Sequence, residues 1–196
     1  NAELAIINAV QEGLASKLEM QAIYDLVGDK LREIFKADTT FIAFHDEKKE
    51  NVIVPYYADK DAKKPLMRPY GRGLYEHIVK TGKSLLTRSD KESAKIGNYV
   101  VASPNSKKDL NESFLGVPIF KDGQVIGATS VQSYQQNAYG ENDLRLLTTL
   151  ANSMSVALES ARLFDETQRL LKETEQRVAE LAVINSVQQG LAAELN

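Results

Sequence analysis

Apolar residues recur along the chain with two different periods, and the change of period marks the elements. From Glu3 to Phe35, Leu4, Ile7, Leu14, Leu18, Ile23, Leu26, Val27, Leu31 and Ile34 follow one another at helical spacings of three and four. The pattern slips near Ser16–Met20, so a bend or a break into two helices is expected there, and Gly13 weakens the first half by about 1 kcal/mol relative to Ala. Strand character begins at Asp38–His45, where TTFIAFH is β-branched and aromatic. Val52–Ala58 sets Val52, Val54 and Tyr56 against Ile53 and Tyr57, and Pro55 within it predicts an edge position or a bulge. Asp59–Pro69 is charged, contains two prolines and reads as a loop. Gly71-Arg72-Gly73-Leu74 opens a short helix through about Lys80, which Thr81-Gly82 closes, and Ser84–Thr87 is a short strand. Arg88–Glu112 is polar, with a short helix expected around Lys91–Val100; a loop of that length in a compact domain is expected to be a lid or to be disordered.

The stretch Ser113–Tyr134, SFLGVPIFKDGQVIGATSVQSY, organises the rest. Its two arms meet at Asp122-Gly123, the residue pair that a type I′ hairpin turn demands. Parts of both arms are apolar at both parities (Ile119 beside Phe120, Val125 beside Ile126), which predicts central strands covered on both faces. Gln135–Asn142 is a loop, and from Asp143 to the end the chain is helical without a proline.

Composition narrows the function more than the fold. The 196 residues are 43% hydrophobic and 26% charged, enough for a core that needs neither disulfides nor a metal. Cysteine is absent, which removes thiol nucleophiles, thiolate metal sites and thioether-linked cofactors, and fits a reducing, cytoplasmic compartment. A net charge of −3 argues against a nucleic-acid surface. No apolar run is long enough for a membrane span, and no membrane partner is expected. An internal repeat stands out. Glu3–Glu19, ELAIINAVQEGLASKLE, and Glu180–Asn196, ELAVINSVQQGLAAELN, share eleven of 17 residues at an offset of 177. That period is too long for a solenoid and reads as a whole-domain duplication. The chain is accordingly expected to be a fragment of a longer protein with tandem copies joined by helix.

Order and residues together resemble a GAF domain. GRGLYEHIVKTGKSLL is similar to that family's short helix and following strand, FLGVPIFKDGQVIGATSV to its central hairpin, and NDLRLLTTLANSMSVALESARLFDE to its C-terminal helix. The resemblance implies an α+β fold: an antiparallel sheet of about six strands, terminal helices on one face and a lidded small-molecule pocket on the other. It assigns residues 1–19 to a linker helix, 20–166 to the domain and 167–196 to a helix leading into the next repeat. It also implies a regulatory module in a signal-transduction protein, not an enzyme. Bilin attachment and methionine sulfoxide reduction in this family need Cys, which is lacking. The cyclic-nucleotide branch carries an Asn-Lys pair that this sequence does not contain.

Candidate ligand-binding residues are Phe44, Tyr56, His77 and Tyr99, with Tyr57 as an alternative to Tyr56. Aromatic side chains with a few placed polar groups are what small-molecule pockets use. His45 and His77 are the two histidines and lack the spacing of a metal pair; no metal is expected, and the cofactor is open. Gly71-Arg72-Gly73 precedes a helix, where an anion is favoured, but a turn plus a helix start is the preferred reading. No catalytic motif is present. On the long helix, Phe164, Thr167, Leu171, Thr174, Val178 and Leu181 trace the 3-4 seam of a coiled coil, predicting a parallel homodimer through the terminal helices. Two functions remain: a sensory module that relays ligand binding to a neighbouring repeat or effector domain, or a ligand-free dimerisation spacer.

Overall fold

The computed structural model describes residues 20–60, 62–97 and 110–194, together with Leu4, Asn8 and Glu12, which are helical. Most of the slip at Ser16–Met20 and most of the first copy of the repeat lie outside the described residues, as do residues 98–109 of the expected lid. The chain divides into a unit Asn1–Leu158 and a unit Glu159–Asn196.

The elements of the first unit are α1 (Met20–Phe35), β1 (Thr39–His45), β2 (Asn51–Asp59), β3 (Ala62–Lys63), β4 (Leu66–Pro69), α2 (Leu74–Thr81), β5 (Leu85–Thr87), α3 (Asp90–Ile96), β6 (Ser113–Lys121), β7 (Gln124–Ser133) and the start of α4 (Glu141–Glu194). The strands form one seven-stranded sheet in the order β3-β2-β1-β7-β6-β5, with β4 also on β2 and every pairing antiparallel. The expected loop 59–69 is instead two short strands sharing the outer edge of β2. Its charge and prolines disguised it: an edge strand pairs on one side only, so Pro69 can sit opposite Asn51 at no cost in ladder bonds. Pro55 marks a break in register between Ile42 and Phe44 of the partner strand.

The central hairpin forms as its turn dictates, with Asp122 at φ 50° and Gly123 at φ 78°. Ser113–Ile119 of β6 are buried without interruption, so the strand is covered on both faces. Register separates those faces. Thr40, Ile42 and Phe44 lie beside Val131, Thr129 and Gly127 of β7, which in turn lie beside Leu115, Val117 and Ile119 of β6. Helix α1 packs on this face, burying Ile23, Val27, Leu31 and Phe35. Tyr24 meets Phe44 at 5.8 Å between ring centroids. Gly28 lies under the ring of Tyr56, where a Cβ would fall 2.4 Å from it. In α4, Leu147, Leu150, Ala151, Met154 and Leu158 are buried at helical spacing.

The opposite face carries α2, whose Tyr75, Ile78 and Val79 join Ala43, Val52, Val54, Phe114 and Ala128 in one apolar cluster. Gly116 of β6 permits this approach: a Cβ there would meet Ile78 Cδ1 at 2.6 Å. Helix α2 ends at Gly82, left-handed at φ 65°, whose N–H reaches the carbonyl of Ile78.

Candidate functional site

A polar group is set into the apolar cluster under α2. Strand β4 brings Arg68, the turn after it brings Tyr70 and Gly71, α2 brings Tyr75 and Glu76, and β1 brings Phe41 and His45. Helix α2 turns a broad stripe inward, burying Tyr75, Glu76, Ile78 and Val79. A carboxylate on such a stripe needs a partner. Arg68 Nη1 donates to Glu76 Oε1 at 2.5 Å, and the Gly71 N–H donates to the same oxygen at 3.0 Å. Only 12% of the Arg68 side chain and 7% of the Glu76 side chain are exposed, so the pair is internal. Burial alone would raise the Glu76 carboxyl, but the bond from Arg68, the Gly71 N–H and the Arg68 charge outweigh it and hold the group below its ordinary value.

Glu76 Oε2 is buried and has no hydrogen-bond partner. Among the described residues two other buried side-chain atoms share that condition, the hydroxyls of Thr40 and Tyr139, and neither is charged.

Aromatic rings extend from the pair through Tyr75. The Arg68 guanidinium lies 5.7 Å from the centroid of Tyr75, over its ring. Tyr75 meets Tyr70 and Phe41 edge-on at 6.4 and 6.3 Å, and Tyr70 meets His45 edge-on at 6.3 Å. His45 Nδ1 and the Tyr75 hydroxyl share a hydrogen bond of 3.1 Å. Burial, then the Lys49 charge, push the His45 pKa down against the opposing pull of Asp46, so the neutral ring is favoured. Burial drives the Tyr75 hydroxyl far above the usual phenol range and keeps it protonated, and Tyr57 is pushed up to about 12 for the same reason. The arrangement offers a fixed carboxylate, a fixed guanidinium and aromatic rings set edge-on to one another.

Of the residues anticipated from sequence, Tyr57, the alternative to Tyr56, packs against this cluster, and the other placed ones lie elsewhere. Phe44 and Tyr56 face α1: Phe44 packs on Tyr24, and Tyr56 donates a 2.8 Å hydrogen bond to Asp29. His77 is on the exposed side of α2, and Tyr99 lies outside the described residues. Each placed residue has its immediate neighbour in the cluster: His45 beside Phe44, Tyr57 beside Tyr56, Glu76 beside His77. One step along a strand changes the face, and aromatic character does not report parity. Sequence reasoning missed Arg68 and Glu76; the signal that could have found them is an acid inside the inward stripe of a short helix with an arginine eight residues earlier. Arg72 of the Gly-Arg-Gly turn is exposed. Among the described residues no group of three or more His, Cys, Asp or Glu is placed to hold a metal.

The family model for the GAF domain matches residues 17–159. The chain belongs to the GAF domain family. The nitrogen fixation protein VnfA of Azotobacter vinelandii is 28% identical over 108 residues, which are 55% of this chain and 20% of that protein. The chain thus spans about a fifth of that relative's length. Two solved structures show the breadth of the fold. The phycocyanobilin-bound GAF domain of a cyanobacterial phytochrome superposes with a TM-score of 0.62 at 14% identity, covering 82% of this chain and 96% of that one. The free methionine-R-sulfoxide reductase of Neisseria meningitidis, in complex with its substrate, gives 0.61 at 19% identity, covering 82% and 90%. At these identities the likeness concerns the fold. The fold thus carries a bound chromophore in one of these proteins and a substrate in the other, and no helix among the described residues is long and apolar enough to cross a membrane.

Proposed function

We propose that this GAF domain is a non-catalytic sensory module of a cytoplasmic signalling protein, binding a small molecule on the α2 face and passing the event to a tandem copy or an effector through helix α4. The observation that carries the reading is the Arg68–Glu76 pair, with Tyr75 against Arg68 and Tyr70, Phe41 and His45 joined to it, within an otherwise apolar face. Small-molecule sites combine apolar walls with a few convergent polar groups, and this cluster has that composition. Relatives with a bound chromophore or substrate in the same fold support a ligand site, and the lack of cysteine supports regulation over thiol catalysis. Relay requires that the ligand prefer one helix arrangement over another. The test is native mass spectrometry of the chain as purified, followed by denaturation, small-molecule analysis and an absorption spectrum. A stoichiometric organic molecule whose uptake falls in Tyr75→Ala supports the sensor. A chain that is empty and takes up nothing from a metabolite extract overturns it.

A second reading, a dimerisation spacer with no ligand, draws on the second unit. There Phe164, Leu171, Val178 and Leu181 stand exposed along one seam of α4. A homodimer through this seam is compatible with either function.

A further inference from the structure

Glu76 is more constrained than a buried ion pair requires. Oε1 is satisfied twice, by Arg68 and by Gly71, whereas Oε2 is closed to solvent and satisfied by nothing. Leaving a buried acceptor without a donor costs about 1–3 kcal/mol, and more when it is charged. Replacing Glu76 by an apolar residue together with Arg68 would avoid that penalty, since apolar substitutes for buried ion pairs are often neutral or stabilising. An ionised carboxylate only accepts hydrogen bonds. The missing partner is therefore a donor, and a second anion at that oxygen would be repelled.

We propose, resting on the sensory reading above, that Glu76 Oε2 receives an N–H donor from the ligand, so that the molecule sensed presents an amine or the N–H edge of a nitrogen heterocycle at this point and not a carboxylate or phosphate. Tyr70 and Tyr75 stand edge-on to one another beside the pair, and Arg68 lies over the Tyr75 ring. Because Oε2 is closed to solvent without a ligand, donation to it requires neighbouring groups to shift. That movement supplies the differential affinity a sensor needs.

The test uses the purified chain and four ring compounds of similar size: benzamidine and 2-aminopyrimidine as N–H donors, benzoate and phenyl phosphate as anions. Thermal unfolding is followed against concentration for the wild type and for Glu76→Gln, which keeps an acceptor toward Arg68 and Gly71 but can place an N–H donor where Oε2 was. At least one donor should raise the Tm of the wild type in a saturable way, and Glu76→Gln should weaken its binding at least tenfold. A benzamidine response identifies a cationic group, and a 2-aminopyrimidine response a neutral heterocycle edge. The wild type labelled with 13C at glutamate side chains gives a second readout independent of the variant's fold: the Glu76 carboxyl resonance should move with the donor and not with benzoate. Binding of the anions alone, or donor binding that leaves both Glu76 readouts unchanged, overturns this inference while leaving a small-molecule site intact. No response to any of the four, with uptake of some other molecule in the native spectrum, overturns the inference alone. No response to anything overturns the sensor and the inference together.

Discussion

At the scale of single residues, the fold depends on two places where an atom is absent or a charge is internal. Gly28 sits in α1 where a Cβ would fall 2.4–2.5 Å from three ring atoms of Tyr56, a side chain 1% exposed and bonded to Asp29. Ala would gain about 1 kcal/mol in helix propensity, but overpacking against a ring that cannot swing aside costs about 1–3 kcal/mol. Gly28→Ala is expected to lower stability by about 1 kcal/mol, read as a lower urea midpoint at unchanged slope. The Arg68–Glu76 pair makes a sharper case. Removing one partner of a buried pair costs about 3–5 kcal/mol, because the other charge stays behind. Arg68→Met is expected to lose about 3 kcal/mol, and Arg68→Met with Glu76→Gln to recover most of it. The sign with pH follows from the depressed Glu76 value. The unfolded chain takes up a proton more readily than the folded one, so the contribution of this carboxylate is full above about 4.5, its ordinary value, and is lost as pH falls through the folded value. In Arg68→Met the carboxylate loses its counter-charge and its value rises, so the penalty of that variant should shrink on acidification. A penalty independent of pH between 7 and 4 would count against the pair as described.

Elements show which parts of the sequence carried structural information and which did not. The hairpin was fully legible because its turn has a steric requirement that Asp-Gly meets: Gly123 is at φ 78° with nothing within 4 Å of an added Cβ. Gly123→Ala is therefore expected to cost only the backbone penalty, about 1–2 kcal/mol, with no packing term; a loss well beyond that in chemical denaturation would place a hidden contact at the turn. Helix α2 and its Gly82 cap, strands β1 and β2 and the irregularity near Pro55 were legible for similar reasons, since period and backbone restriction are local properties. Strands β3 and β4 were not, because an exposed edge imposes neither burial nor a second row of hydrogen bonds. The site was the least legible. Phe44 and Tyr56 are aromatic residues on the right strands, yet they face α1, and only the register of β1 on β2 and β7 decides that. Glu76 lies in a helix that the sequence predicts but was not singled out there, and its partner Arg68 comes from an edge strand that the sequence presented as loop.

At the scale of the whole molecule, the open question is what the exposed apolar residues of α4 meet. In the second unit Phe164, Leu171, Val178 and Leu181 are 46%, 53%, 62% and 59% exposed. They alternate at 3-4 spacing with Thr167 and Thr174, which look like poor seam residues until their hydroxyls are followed. Thr167 donates to the carbonyl of Leu163 at 2.7 Å and Thr174 to that of Leu170 at 2.8 Å, so each has its polar atom satisfied by its own helix and leaves a methyl for the seam. Arg162 and Arg169 pair with Glu159, Glu166 and Glu173 along the same helix. Such exposed pairs add little stability but keep the flanks polar. The next seam position is Asn185, a residue type that fixes register in parallel two-stranded coiled coils at some cost in stability. A second copy of the chain, parallel and in register, is the occupant these features favour, and each buried Leu or Val would contribute roughly 1.5–3 kcal/mol. Leu171→Glu brings two like charges to the centre of that seam. Sedimentation velocity should then show the wild type at twice the mass of the variant at micromolar concentration, with thermal unfolding of the sheet domain unchanged and Gln176→Glu, on the outer side of the helix, still dimeric. A monomeric wild type, or a Leu171→Glu chain of undiminished mass, would assign the stripe to a neighbouring domain of the same chain and move the relay from between copies to along one.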